Sequence, residues 1–246
     1  MPSRLDGQVI IVTGGTRGMG EATARGIVES GGKVVFGGRD SASGDVIAAE
    51  LGENARFVRQ DPASEADWVT IVRTAVEVFG RVDGLVNNAG MMATNPLTET
   101  DAGLVSELVA TNQTAILLGM KHAVPEMRKL GGGSIVNIGS VAVARGMAQI
   151  SAYSGTKAAV AAMSRSAAVE LGPDNIRVNT VHPGAIATKM LDDNVGPNAR
   201  EIVAQLTPLG RVGEPSEIAA PVIFLLSADS SYVTGAEIAV DGGRAL

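Results

Sequence analysis

The sequence predicts an α/β fold, a single doubly wound domain of about seven parallel strands with helices on both faces. Three observations carry this. Short, continuous, β-branched runs such as residues 8–13 (QVIIVT) recur along the chain, the pattern of strands buried on both faces. Between them lie stretches with helical spacing, as in Val69, Val72, Val76 and Phe79. A glycine-rich segment, residues 14–20, follows directly on the first run. Strands alternating with helices require right-handed crossovers and hence a parallel sheet covered on both sides.

The elements follow in order. Residues 8–13 form the first strand, and a helix runs from the glycine segment to about Ser30, where Gly31 and Gly32 stop it. Residues 33–36 are the second strand, 41–51 a helix closed by Gly52, 56–59 the third strand and 64–79 a helix. Residues 82–86 are the fourth strand, followed by one long helical stretch over about 98–129. Then come a strand at 134–138, an Ala-rich helix at 153–171, a strand at 177–181 and an irregular segment at 185–206. A helix at 214–226 and a strand at 237–240 close the series. No repeat or linker interrupts it, so residues 1–246 read as one domain.

Composition narrows the function. With 45% apolar residues in 246, the chain can bury a sizeable core and is not disordered. It has no cysteine and only two histidines, His122 and His182, so no metal centre is expected. A net charge of −6 and 3% aromatics argue against a nucleic-acid partner. The longest apolar stretch, 218–226, contains Pro221 and is far short of the roughly 20 residues that span a bilayer. No membrane partner is therefore expected, and the cytoplasm is the default compartment.

Gly14, Thr16, Arg17, Gly18, Met19 and Gly20 lie between a strand and a helix. Glycine there lets the backbone turn sharply and approach a pyrophosphate, while the helix N-terminus offers unpaired N–H groups and a positive dipole end. A plain strand-to-helix loop is the alternative, and the position after the first strand favours the nucleotide. At the end of the second strand, where an acid would bond a ribose 2′-hydroxyl, stands Gly38, followed by Arg39. With Arg17 in the glycine loop, this favours a 2′-phosphate, although Asp40 is close by. A charge-assisted contact contributes roughly 1.5–3 kcal/mol, a preference of about ten- to a hundredfold rather than an exclusion.

Tyr153 and Lys157 are spaced to share one helix face. An ammonium about 4 Å from a phenolate, at an effective dielectric of about 20, gives roughly 4 kcal/mol, enough to lower a phenol by up to about three pKa units. Taken alone the pair reads equally as a surface contact. It gains weight because the chain has only two tyrosines, and because the helix follows Ser140 at a strand's carboxyl end. Ser140 would donate to a carbonyl oxygen that becomes negative as hydride arrives, and Tyr153 would supply the proton. With that role filled, His182 reads as a packed histidine, His122 as a surface or capping residue, and Trp68 as packing or lying on a helix flank.

The spacing T-G-x-x-x-G-x-G at 13–20, Asn87-Asn88-Ala89-Gly90, Asn112, Ser140, Tyr153-x-x-x-Lys157, Pro183-Gly184 with Thr188, and the ending at 234–243 together resemble the short-chain dehydrogenase/reductase family. The resemblance covers the whole chain and implies a Rossmann-type fold and an NAD(P)-dependent oxidoreductase. By it, Asn112 is a fourth catalytic residue, serving a water relay to Lys157, and Lys157 also holds the cofactor ribose. Asp61 would lie near the adenine, though the following Pro62 departs from the family's aliphatic residue. Asn88, Ala89, Gly90, Pro183, Gly184, Ile186 and Thr188 would line the cofactor. Residues 185–206 would form a substrate lid, and a homotetramer would be the assembly. The lid's apolar residues, with Met91, Met92 and 141–143, suggest an apolar or cyclic ketone or secondary alcohol as the small-molecule substrate. NADP(H) is the favoured cofactor and NAD(H) the alternative, as an NAD-dependent secondary-alcohol or hydroxysteroid dehydrogenase. A cofactor-binding regulatory protein is the non-enzymatic alternative.

Overall fold

Every residue of β1 (Val9–Thr13) is buried in the computed structural model, which describes residues 4–196 and 198–246. Around it lie β2 (Lys33–Gly38), β3 (Ala55–Arg59), β4 (Gly84–Asn87), β5 (Gly133–Ile138), β6 (Ile176–Pro183) and β7 (Glu237–Val240). They form one sheet in the order β3-β2-β1-β4-β5-β6-β7, every pair parallel. This is the doubly wound α/β sheet that the alternation of strands and helices predicts. The chain reverses direction across the sheet between β1 and β4, and the crevice outside their carboxyl ends is where such folds bind ligands.

The helices are α1 (Gly18–Glu29), α2 (Ser41–Leu51), α3 (Glu65–Phe79), α4 (Ala102–Val109), α5 (Ala115–Lys129), α6 (Ser151–Leu171), α7 (Lys189–Val195), α8 (Ala199–Gln205) and α9 (Pro215–Leu226). Strand side chains alternate between two cores, as their period of two requires. Val9, Ile11, Val35, Leu85 and Ile135 pack with Trp68 of α3, Ile116 and Met120 of α5 and Val160 of α6. Ile10, Val12, Val34, Phe36 and Val136 pack with Ile27 of α1, Ile47 of α2 and Val222 of α9. Each buried Val, Ile or Phe contributes roughly 1.5–3 kcal/mol, whereas helix propensities differ by about 0.7 kcal/mol or less for ordinary residues. The apolar pattern therefore decides the fold. No helix among the described residues is long and apolar enough to cross a membrane.

Apart from strand ends shifted by one or two residues, the structure departs from the expected elements at three places. The helical stretch at 98–129 is not continuous: a short turn at Leu97–Glu99 precedes α4, and a π-helical turn, Ala110–Thr114, separates α4 from α5. Asn112 sits in that turn, fully buried. The Ala-rich helix begins at Ser151 rather than at Tyr153, so both Tyr153 and Lys157 lie inside regular helix. The segment at 185–206 is not irregular throughout, since it contains α7 and α8.

Candidate active site

The glycine loop is shaped by two kinds of constraint. Gly14 and Gly18 have φ of +65° and +56°, conformations that side chains rarely tolerate. Gly20 is held by close approach, because a Cβ there would lie 2.2 Å from the Gly14 carbonyl oxygen and 2.5 Å from Asn88 Nδ2. Asn88 ties the end of β4 to this loop, its Nδ2 donating to the carbonyls of Thr13 (2.9 Å) and Gly14 (3.2 Å). The Thr13 hydroxyl in turn accepts from the amides of Asn88 and Ala89, at 3.1 and 3.0 Å. Asn87 reaches the other way and donates to Asn137 of β5 at 2.8 Å.

These ties shape a cavity of about 320 Å³, whose walls include Gly14, Thr16, Arg17, Gly18, Met19, Gly20, Arg39, Asp61, Ala89 and Thr188. An anionic dinucleotide fits it on the chain's own features. The N-terminus of α1 opens into it without side-chain capping, a Cβ at Gly18 would already meet Thr188 at 3.1 Å, and two guanidinium-bearing residues stand on the wall. Asp40 also lines this cavity, but its carboxylate caps α2, accepting from the Ser43 amide (3.2 Å) and hydroxyl (2.7 Å). The hydroxyl bond, then the amide bond, hold the Asp40 carboxyl below its usual range. Asp61 is turned partly back on its own loop and accepts from the Ala63 amide at 3.0 Å. The carbonyl of Pro62 anchors the buried Trp68 through its Nε1, at 2.8 Å.

A second cavity, of about 160 Å³, contains Ser140, Tyr153 and Lys157 on its wall, with Pro183, Gly184 and Ile186. Ser140 lies just beyond β5, and its hydroxyl accepts from the Ala142 amide at 3.2 Å. Tyr153 and Lys157 come from α6, 8% and 4% exposed. Lys157 Nζ donates to the Ile138 carbonyl at 2.9 Å and lies 5.9 Å from the centre of the Tyr153 ring. Burial pushes the Lys157 ammonium down to about 8. Burial also raises the Tyr153 phenol above its ordinary value, opposed by a hydrogen bond from the Ser140 hydroxyl. The balance therefore differs from the acidified phenol that the spacing suggests. Loss of hydration outweighs that bond, so the phenol holds its proton more tightly than a free tyrosine does.

Asn112 is placed beside this group but spends its side chain elsewhere. Its Oδ1 accepts from the Met91 amide (2.9 Å), and its Nδ2 donates to the Met91 carbonyl (2.9 Å) and the Thr156 hydroxyl (3.1 Å). His182 is buried, as a packed histidine should be, between the main chain of Ser140 and the carboxylate of Glu237. His122 pairs with Glu65 at 3.1 Å, at the surface and away from both cavities. Met19, Asn88, Gly90, Thr188 and Met190 line both cavities, so the two are contiguous. Every residue assigned to the site from sequence except Asn112 lies on one cavity wall or the other.

The sequence reading did not include Gln60 and Thr111 in the first cavity, or Met147, Ile150 and Arg244 in the second. Gln60 had a signal, being a polar residue at the exit of a buried strand, just before Asp61. Its amide is buried without a partner among the described residues. Arg244 had none, because the C-terminal segment reaches the cavity only through the fold.

Comparison with known proteins agrees with this arrangement. A family model described as Enoyl-(Acyl carrier protein) reductase matches residues 14–245. The chain is similar to a 3-alpha-(or 20-beta)-hydroxysteroid dehydrogenase of Mycobacterium tuberculosis, 42% identical over 99% of this chain and 91% of the relative. It is similar to an NADP-dependent (R)-specific alcohol dehydrogenase of Lentilactobacillus kefiri, 40% identical over 99% and 98%. A cyclopentanol dehydrogenase of Comamonas testosteroni is 35% identical over 98% of both chains. With the glycine loop, the Asn-Asn-Ala-Gly tie and the Ser140–Tyr153–Lys157 group all in place on a doubly wound sheet, the chain belongs to the short-chain dehydrogenase/reductase family of oxidoreductases.

Proposed function

We propose that this protein transfers hydride between NADP(H) and a ketone or secondary alcohol with an apolar or cyclic body. The observation that carries this is the continuity of the two cavities through Met19, Asn88, Gly90, Thr188 and Met190. One dinucleotide with its phosphates at the glycine loop would end beside Tyr153. When bound, the nicotinamide supplies or accepts the hydride, and the protein needs no nucleophile.

The chain's own residues do the rest. Backbone groups of Gly14, Thr16, Gly18, Met19 and Gly20 hold the phosphates, Arg17 and Arg39 hold the 2′-phosphate, and Asp61 stands near the adenine. Asn88, Ala89, Gly90, Pro183, Gly184, Ile186 and Thr188 form the walls along the rest of the cofactor. Ser140 donates a hydrogen bond to the carbonyl oxygen, and Tyr153, protonated in the free protein, donates the proton. Lys157 holds the ribose and lends positive charge next to the phenol. Asn112 braces the Met91 loop against α6, and would take part in a water relay towards Lys157. The relatives named for hydroxysteroid, cyclopentanol and (R)-specific alcohol dehydrogenases support a secondary-alcohol carbon as the reacting centre, and the apolar wall formed by Met147, Ile150 and Leu191 supports an apolar body. We read α7 and α8 as the lid of this single domain, and α6, whose outer face exposes Ala158, Ala162 and Val169, as part of a homotetramer contact.

The test is Tyr153→Phe. The variant is expected to bind NADPH with wild-type affinity in a fluorescence titration while turnover of a cyclic ketone falls by about 10²–10⁴-fold. Unchanged turnover overturns the assignment.

A further inference from the structure

The substrate cavity has a charge asymmetry that hydride transfer does not use. Its wall is mostly apolar, with Met91, Met147, Ile150, Met190 and Val203 among its residues. The charged residues on it are Lys157 and Arg244, and no acid is among them. Lys157 is engaged with the Ile138 carbonyl inside the catalytic group. Arg244 arrives separately, from the C-terminal segment after β7.

Arg244 is short of acceptors. A guanidinium carries five N–H donors. The one hydrogen bond from this side chain among the described residues runs from Nη1 to the Val203 carbonyl of α8, at 3.5 Å. Asp241, the acid facing it, is already engaged through both oxygens, by the amides of Gly243 (2.9 Å) and Ala245 (2.7 Å). A second cation is held beside it, since Arg145, in the loop that follows Ser140, donates from Nη1 to the Arg244 carbonyl at 2.9 Å. Burial, then the Arg145 charge, disfavour the charged form of Arg244, and Asp241 only partly opposes them. A half-buried cation in an apolar cavity, beside a like charge and with donors to spare, is the setting that a carboxylate completes, because it can accept two parallel bonds from one guanidinium.

We propose that Arg244 selects substrates carrying a carboxylate remote from the reacting carbonyl, so that the site takes apolar keto acids, or the corresponding hydroxy acids, in preference to neutral ketones of the same shape. The inference rests on the hydride-transfer reading given above. It goes beyond that reading in assigning the far end of the substrate. Arg244 acts here in binding and takes no part in the proton or hydride steps.

The test uses the full-length protein with NADPH and a series of cyclohexanones bearing acetate, propanoate, butanoate or pentanoate chains opposite the carbonyl, each beside its methyl ester. For the acid of best length, kcat/KM is expected to exceed that of its ester by about ten- to a hundredfold, mainly through KM. Arg244→Met, which keeps the apolar stem, should bring that ratio close to one by raising KM for the acid far more than for the ester. Arg244→Lys should retain part of the preference, which separates loss of charge from misfolding. No acid preference in the wild type, or a preference that survives in Arg244→Met, overturns the inference. So does an equal loss of kcat for acid and ester, which would make Arg244 a lid anchor. Calorimetric titration of the acids into the protein loaded with NADP+, which cannot reduce them, reads the inference without turnover: binding lost in Arg244→Met supports it, and no binding in the wild type overturns it. Failure of the wild type to reduce any acid or ester would count instead against hydride transfer.

Discussion

His182 holds the main chain of Ser140, its Nδ1 lying 3.0 Å from the Ser140 amide nitrogen. On the far side of the ring, Nε2 lies 2.9 Å from Glu237 Oε2, and Arg165 pairs with the other oxygen of that carboxylate. A carboxylate facing Nε2 keeps the proton there, so Nδ1 presents its lone pair to the Ser140 N–H. Gly139 makes room for the ring, since a Cβ at that position would lie 2.4 Å from Nδ1.

Glu237→Ala removes what fixes that tautomer and leaves the Ser140 amide at risk of losing its acceptor. An orphaned buried donor costs about 1–3 kcal/mol. The variant is expected to lose stability of that order in urea denaturation and to lose kcat, with NADPH affinity unchanged. Glu237→Gln, whose carbonyl oxygen can still accept from Nε2, should recover most of the kcat. Equal, full activity in both variants would show that His182 only fills space.

Stability should depend on pH through Lys157. Burial lowers its pKa from 10.5 to about 8. Between those values the unfolded chain holds a proton that the folded protein does not, so stability rises with pH across this window. The full effect is on the order of 3 kcal/mol. Tyr153, raised by its own burial, works in the opposite sense above pH 10, so the comparison is best made from pH 8 to 10. Urea unfolding of wild type against Lys157→Met should show the wild type gaining on the variant as pH rises. Parallel curves would mean that Lys157 titrates as an exposed lysine does.

Cofactor choice should turn on Arg39. It follows the end of β2 on the wall it shares with Arg17, while Asp40 is occupied in capping α2. Arg39→Asp is expected to move the NADPH-to-NADH ratio of kcat/KM by about ten- to a hundredfold towards NADH, the equivalent of one charge-assisted contact. A wild type that already works better with NADH would refute the NADP(H) assignment.

Gly20→Ala should abolish cofactor binding and lower the melting temperature. The added methyl has no free space, since it meets the Gly14 carbonyl and the Asn88 amide within the first turn of α1. Overpacking of this kind costs typically about 1–3 kcal/mol. Calorimetric titration with NADPH would read the first effect and thermal denaturation the second.

The sheet was legible because its strands are short β-branched runs that no helix period explains, as in VIIVT of β1 and KVVF of β2. The candidate site was legible where chemistry needs a fixed spacing, in the glycine loop and in Tyr153 with Lys157. Local pattern is silent where a tertiary contact overrides it. Nothing in 98–129 announces the π turn, which coincides with Asn112 reaching across to Met91 and Thr156. The spacing of Tyr153 and Lys157 places them on one face but is silent on burial, and burial sets both of their pKa directions. Arg244 was invisible because its neighbours, Val203 and Arg145, are distant in sequence.

Thr188 and Met190 stand at the start of α7 and face both cavities. Under the proposed function, a ligand in the first chamber would touch residues that also wall the second. A dinucleotide resting against Thr188 would then complete the shape that the carbonyl compound meets. Under the proposed function, an order of arrival with cofactor first and substrate second would follow from Thr188, which caps a seven-residue helix, and Met190 within it.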